Sequence, residues 1–249
     1  MISVRQFAVI CVVLLSGCAG AQSKVMTSDV AAKGQDPCAQ IKPLKLNADG
    51  TNFENPQLAI DVLSACNASN TRAPSKARAA IFKLRSTAYA QLGDYGKAIS
   101  DCEESLRLVP ARTAWDVITL ASLYRQSGQP ERALGALRQM LKDHLGVSGK
   151  GTTPGMPSYY HLGMTLVALE QWPEAAEAFS EGLTYQPDYA WAYLYRALSY
   201  DHMNDMDRAR DDVRKGRSLI DALKDDDRAE GLKSLSKPPF ATLMAKYPK

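Results

Sequence analysis

No stretch of this sequence stays apolar for the ~20 residues that a membrane-spanning helix needs. The charge is close to balanced, +3 over 249 residues. A nucleic-acid-binding protein usually carries a marked basic surface, so nucleic acid is not an expected partner. The histidines are few and scattered, at His144, His161 and His202, and neither HExxH nor CxxC spacing occurs. Neither a metal site nor a cofactor is therefore expected. The run SGKGTT (148–153) has Gly151 after its lysine and no strand before it, so it fails as a phosphate loop and reads as a mobile loop. Asp225-Asp226-Asp227 lack the glycine and the spaced oxygens of a calcium loop and read as a helix start. No serine or cysteine nucleophile comes with a recognisable base, so an enzyme is not expected. Glycine and proline are not in excess, and 45% apolar with 23% charged residues is the balance of a globular chain with a core to bury.

What is present begins at the N-terminus. Arg5 and the terminal amine precede FAVICVVLL (Phe7 to Leu15), an apolar run of signal-peptide length. Leu15-Ser16-Gly17-Cys18 follows. The pattern resembles a bacterial lipobox. Small residues admit the backbone to the peptidase, and only a thiol can be made into the thioether. The resemblance implies a signal peptide over 1–17 and lipidation of Cys18. Ala19, in place of the aspartate that retains such proteins at the inner membrane, implies an outer-membrane lipoprotein facing the periplasm. Residues 18–37 show neither helical nor strand periodicity and read as a flexible tether.

The rest is organised by repetition. GDYGKAISDCEESLRLVP, GQPERALGALRQMLKDHL, EQWPEAAEAFSEGLTYQP and NDMDRARDDVRKGRSLID align on Ala98, Ala133, Ala175 and Ala209, spaced 35, 42 and 34 residues apart. The long interval holds a glycine- and threonine-rich insertion at 146–157. Nine residues before each marker alanine stands Tyr89, Tyr124, Leu166 or Tyr200, and twelve before it a small residue: Ser86, Ala121, Gly163 or Ala197. Each upstream segment carries apolar residues at helical spacing. Pro110 and Pro187 close two of the units.

This order resembles the tetratricopeptide repeat, a 34-residue helix-turn-helix. The resemblance implies an all-α, right-handed solenoid of four repeats over 79–223, with units at 79–112, 114–147, 156–189 and 190–223. Residues 38–78 form an N-terminal cap in which Ala59 marks a leftover second helix, and 224–249 form a C-terminal capping helix and tail. Arg196 and Arg217, where the family prefers leucine, suggest that the fourth unit is a polar, capping-like end. Cys102 falls on a core-facing helical position and reads as a small buried apolar residue. Exported bacterial repeat proteins with an early cysteine and one on the first helix resemble this chain at Cys38 and Cys66, which implies a bridge between them.

In this family the first helix of each pair lines a concave groove. Carried over position by position, the groove residues are Lys83 and Thr87; Trp115, Ile118, Ser122 and Arg125; Tyr160 and Met164; and Trp191, Leu194, Leu198 and Asp201. Of the family's carboxylate clamp only Lys83 matches, so chaperone-tail binding is disfavoured. The function so implied is an envelope-anchored adaptor that binds a protein or peptide and serves the assembly of a pilus, secretion or cell-wall complex. Self-association in a structural role is the alternative, and a cell-wall enzyme comes third. The partner and the oligomeric state are left open.

Overall fold

The computed structural model describes residues 36–47 and 50–248. The signal peptide, the lipobox with Cys18 and the tether up to residue 35 lie outside the described residues. Two compact units are distinguished, Met1–Pro110 and Ala111–Lys249.

The first unit begins with a 3-10 turn over Pro37–Ile41, followed by an isolated bridge between Leu46 and Phe53. Helix α1 (Pro56–Ser69) starts where the Asn55 side chain accepts from the Leu58 N–H, with proline at the first helical position. Helices α2 (Ser75–Gln91) and α3 (Tyr95–Leu108) form the first full pair. Cys38 and Cys66 are joined by a disulfide with their Cα atoms 4.6 Å apart, which ties the 3-10 turn to α1. Gln91 holds the same segment at its other end, accepting from the Phe53 N–H at 2.9 Å and donating to the Phe53 carbonyl at 3.1 Å. Phe53, Ile60, Leu63 and Ile81 make the core beneath.

The second unit continues with α4 (Ala114–Gln126) and α5 (Pro130–Lys142), then α6 (Gly155–Ala168) with α7 (Trp172–Tyr185), and α8 (Ala190–His202) with α9 (Met206–Asp221). The insertion after α5 is not a bare loop. Leu145–Gly146 (β1) and Gly149–Lys150 (β2) pair antiparallel, and the Gly151 N–H donates to the His144 carbonyl at 2.7 Å. Past α9, α10 (Asp225–Leu235) is followed by a further helix, α11 (Phe240–Lys246), where the sequence suggested only a tail.

One set of contacts recurs in every pair. The marker alanines Ala98, Ala133, Ala175 and Ala209, and Ala59 of α1, are 0% exposed. They sit where the two helices cross, opposite the small residue of the first helix. In repeat 1 the Ser86 hydroxyl donates to the Ala98 carbonyl at 2.7 Å. In repeat 3 the small residue is Gly163, and a Cβ there would lie 2.6 Å from the ring of Phe179. At the register of Phe179, four residues after the marker alanine, the other repeats carry the smaller Cys102, Leu137 and Val213. The repeat thus conserves the volume of the crossing while exchanging which helix fills it.

The turn between the paired helices is equally regular. Gly93, Gly128, Glu170 and Asn204, each five residues before a marker alanine, have φ of 76°, 75°, 57° and 60°. The next N–H reaches back to the aromatic or leucine position: Asp94 to Tyr89, Gln129 to Tyr124, Gln171 to Leu166 and Asp205 to Tyr200, at 2.8 to 3.0 Å. The ring at that position also accepts a cation in three repeats. Lys97, Arg132 and Arg208 stand 5.4, 4.3 and 4.3 Å from the centroids of Tyr89, Tyr124 and Tyr200. In repeat 3 both partners differ, to Glu174 and Leu166.

Candidate functional site

The expected groove residues part into four groups. Lys83 and Thr87 lie half-buried on α2, where the Thr87 hydroxyl donates to the Lys83 carbonyl at 3.2 Å. In the second unit Trp115, Ser122 and Arg125 on α4 and Tyr160 and Met164 on α6 are half-buried, at the border between core and surface. Ile118, Leu194 and Leu198 are core, at 4%, 0% and 8% exposure, and do not line an open surface. Two packing contacts cause this on α8. Leu194 presses on Gly216 of α9, where an added Cβ would meet it at 2.8 Å. Leu198 shares one apolar cluster with Phe240 and Leu243 of α11.

Helix α11 covers this side of α8. Phe240 meets the ring of Tyr195 edge-on with centroids 4.9 Å apart and lies 5.7 Å from that of Trp191. Asp201, near the C-terminus of α8, pairs with Lys246 at 2.7 Å and accepts from the Tyr247 hydroxyl. Trp191 and Asp201 are therefore engaged by the chain itself.

From Tyr195 the aromatic row continues. Tyr160 packs edge-on against Tyr195 at 5.8 Å, Tyr189 at 5.1 Å and His161 at 5.6 Å, and Phe179 backs it from below. At the edge of this row stands Arg125. Its Nη1 donates to the Thr165 hydroxyl at 3.3 Å, and its Nη2 lies 3.2 Å from His161 Nδ1. A guanidinium has only donors, so Nδ1 accepts and the imidazole proton belongs on Nε2. Burial, and next the charge of Arg125, pulls the His161 pKa down to about 3. The ring is thus neutral at ordinary pH. Burial also pushes the phenols of Tyr160 and Tyr195 up, and lowers Arg125 from its ordinary value.

Sequence reasoning placed Arg125 and Tyr160 here but missed Tyr189, His161, Thr165, Tyr195 and Phe240. Tyr195 had a signal, four residues beyond Trp191 and thus on the same side of α8. Phe240 had none, because its place depends on a helix folding back from far along the chain. Among the described residues no three His, Cys, Asp or Glu side chains gather as metal ligands would, and no helix is long and apolar enough to cross a membrane.

A family model described as a tetratricopeptide repeat matches residues 160–218, which span α6 to α9, and another of that description matches 84–111, on α2 and α3. No curated protein matches the sequence. Among solved structures the chain is similar to MamA residues 41 to the end from Desulfovibrio magneticus RS-1, at 18% identity and TM-score 0.57, over 69% of this chain and 89% of that one. Another MamA structure aligns at 17% identity and TM-score 0.55, over 67% of this chain and 83% of that one. YrrB, described as a TPR protein with an unusual peptide-binding site, aligns at 16% identity and TM-score 0.53, over 72% of this chain and 84% of that one. At these identities the likeness concerns the fold, and it agrees with the crossings, turns and spacing found in each pair. Residues 84–111 and 160–218 are thus tetratricopeptide repeats, and the fold around them is that of an all-α tetratricopeptide-repeat solenoid.

Proposed function

We propose that this protein is an envelope-anchored adaptor that binds a protein or peptide partner through the first helices of its repeats. One observation carries the binding part. The face of α8 already holds a short amphipathic helix, α11, through Phe240, Leu243 and Tyr247. A surface that packs such a segment from its own chain has the rings and apolar seats to pack one from another. On α4 and α6, Trp115, Tyr160 and Met164 offer rings and a thioether of the same kind. The peptide-binding description of YrrB supports the reading by analogy of fold. The anchor rests on LSGC at 15–18 after a nine-residue apolar run, and outer-membrane location on Ala19. Assembly work on a pilus, secretion or cell-wall complex is the role that fits a tethered adaptor in that compartment. The reading contains no catalytic step.

Site-specific photocrosslinking in living cells tests the binding part. Crosslinkers at Trp115 and Met164 are expected to capture a partner, and crosslinkers at exposed Arg138 of α5 and Glu177 of α7 are not. Capture confined to α5 and α7 would exclude the proposed face, and capture of the protein's own copies would favour self-association instead. For the anchor, Cys18→Ser is expected to release the protein from the membrane fraction. Continued acylation and membrane retention of that variant would refute it.

A further inference from the structure

Arg85, Arg125 and Arg196 are among the arginines drawn into the two units, and they are not treated alike. Arg85 and Arg196 keep only 16% and 18% of their side chains exposed, and each forms a bidentate pair with an aspartate. Nε and Nη2 of Arg85 reach Asp101 at 2.6 and 2.8 Å, and those of Arg196 reach Asp212 at 2.7 and 2.8 Å. Arg125 is also withdrawn, among the rings of Tyr160 and Tyr195, and has no carboxylate partner among the described residues. Its two partners are a neutral hydroxyl and a neutral imidazole. The Thr165 hydroxyl is itself spent, donating to the His161 carbonyl at 2.7 Å, so it meets Arg125 only as an acceptor. These two contacts hold the guanidinium in one orientation and use two of its five N–H donors.

A half-buried ion without a counter-charge among the described residues is costly to the fold. Replacing it with an apolar side chain of similar volume removes that cost. The repeat-position equivalent of Arg125 in repeat 4 is Asp201, and that charge is neutralised, by Lys246 and Tyr247 of the chain's own C-terminal segment. Repeats 1 and 3 hold the apolar Ala90 and Val167 at the same position, so only repeats 2 and 4 carry a charge there. In repeat 4 the chain's own C-terminal segment pairs with that charge, and in repeat 2 no carboxylate does so among the described residues.

We propose that Arg125, held by His161 and Thr165 and walled by Tyr160 and Tyr195, is a receptor for a single carboxylate of the bound partner. The inference rests on the adaptor reading above. A carboxylate fits because the planar fork pairs with it in two parallel hydrogen bonds, and one negative charge is all the site lacks. The rings keep competing water away and strengthen that pairing. The carboxylate is either a chain terminus or an aspartate or glutamate side chain.

The probes are three synthetic peptide arrays, applied to the full-length protein. One has free C-termini and no acidic residues, one has amidated C-termini with Asp or Glu inside, and one is amidated without acids. Binding is expected on one of the first two arrays and to be ~10- to 100-fold weaker on the third. The array that retains binding identifies the source of the carboxylate. Arg125→Gln is expected to erase the difference, whereas Arg138→Gln on exposed α5 preserves it. Thermal melting separates this from a structural role. Arg125→Met, close in volume, is expected to melt at or above the parent temperature, whereas Arg196→Met melts well below it. Peptide binding that ignores both carboxylates and Arg125 overturns the inference while leaving the adaptor reading intact. Stronger binding to phosphopeptides overturns the assignment to a carboxylate. A marked loss of stability in Arg125→Met, or arrays that capture nothing, overturns the receptor role, and the crosslinking experiment then judges the adaptor reading independently.

Discussion

Repeats 1 and 4 are joined differently from repeats 2 and 3. At thirteen residues before and three residues after the marker alanine, the middle repeats place Leu120 with Ala136 and Leu162 with Ala178, apolar pairs. The outer repeats place Arg85 with Asp101 and Arg196 with Asp212 at those positions. Each of these arginines also donates to a serine five residues after the preceding marker alanine, Ser64 of α1 at 3.1 Å and Ser180 of α7 at 2.9 Å. The same trio at the same register in two separate repeats identifies α1 as the second helix of a vestigial repeat. It also shows two solutions to one packing problem. The apolar joint gains from burial alone, whereas the polar joint gains only while every member is present.

The largest expected effect comes from breaking one polar joint halfway. Asp212→Ala leaves Arg196 withdrawn without its partner and is expected to cost about 3–5 kcal/mol. The double change Arg196→Leu with Asp212→Ala copies the joint of the middle repeats and is expected to recover most or all of that loss. Urea denaturation followed by far-ultraviolet circular dichroism measures both, and a double variant as unstable as the single one would show that the two joints are not interchangeable. Next in size is the crossing of repeat 3. Gly163→Ala puts a methyl 2.6 Å from a ring that is fully buried, for a loss of about 1–3 kcal/mol. Adding Phe179→Leu restores the pairing used in repeat 2 and is expected to return part of it. The same denaturation series reads the coupling as a double-mutant cycle. The smallest effect has the opposite sign. Glu170 holds a left-handed turn that glycine holds in repeats 1 and 2. Glu170→Gly is expected to stabilise by about 1 kcal/mol, visible as a higher melting temperature in calorimetry.

The sequence made the helix pairs legible because their signals are local and recur. The small residue, the aromatic, the turn residue and the alanine lie within twelve positions of one another, and the structure gives each a contact within its own pair. What was not legible depends on distant partners. Arg196 read as the mark of a polar, capping-like end because nothing in the sequence ties it to Asp212, sixteen residues on. Residues 148–153 within the insertion read as a mobile loop, since two-residue strands are too short to show alternation. Helix α11 is seven residues long and stands behind Pro238-Pro239, so its helical period is brief. Its cover over α8 is the reason Leu198 counts as core where family position alone suggested groove. At the candidate site, Arg125 and Tyr160 were legible as members of one face. The missing counter-charge was not, because that is a property of every neighbour together.

The docking of α11 has a consequence for competition. A segment fixed to the molecule meets its seat at an effective concentration that no free partner reaches at ordinary cellular levels. A partner aimed at Trp191 and Tyr195 must wait for α11 to leave, and its apparent affinity falls by the fraction of molecules in which that face is vacant. The faces of α4 and α6 carry no such penalty from α11. With similar rings on both stretches, the first encounter of a partner with the second unit is therefore weighted toward α4 and α6, and removing α11 would change where binding begins without adding a single contact.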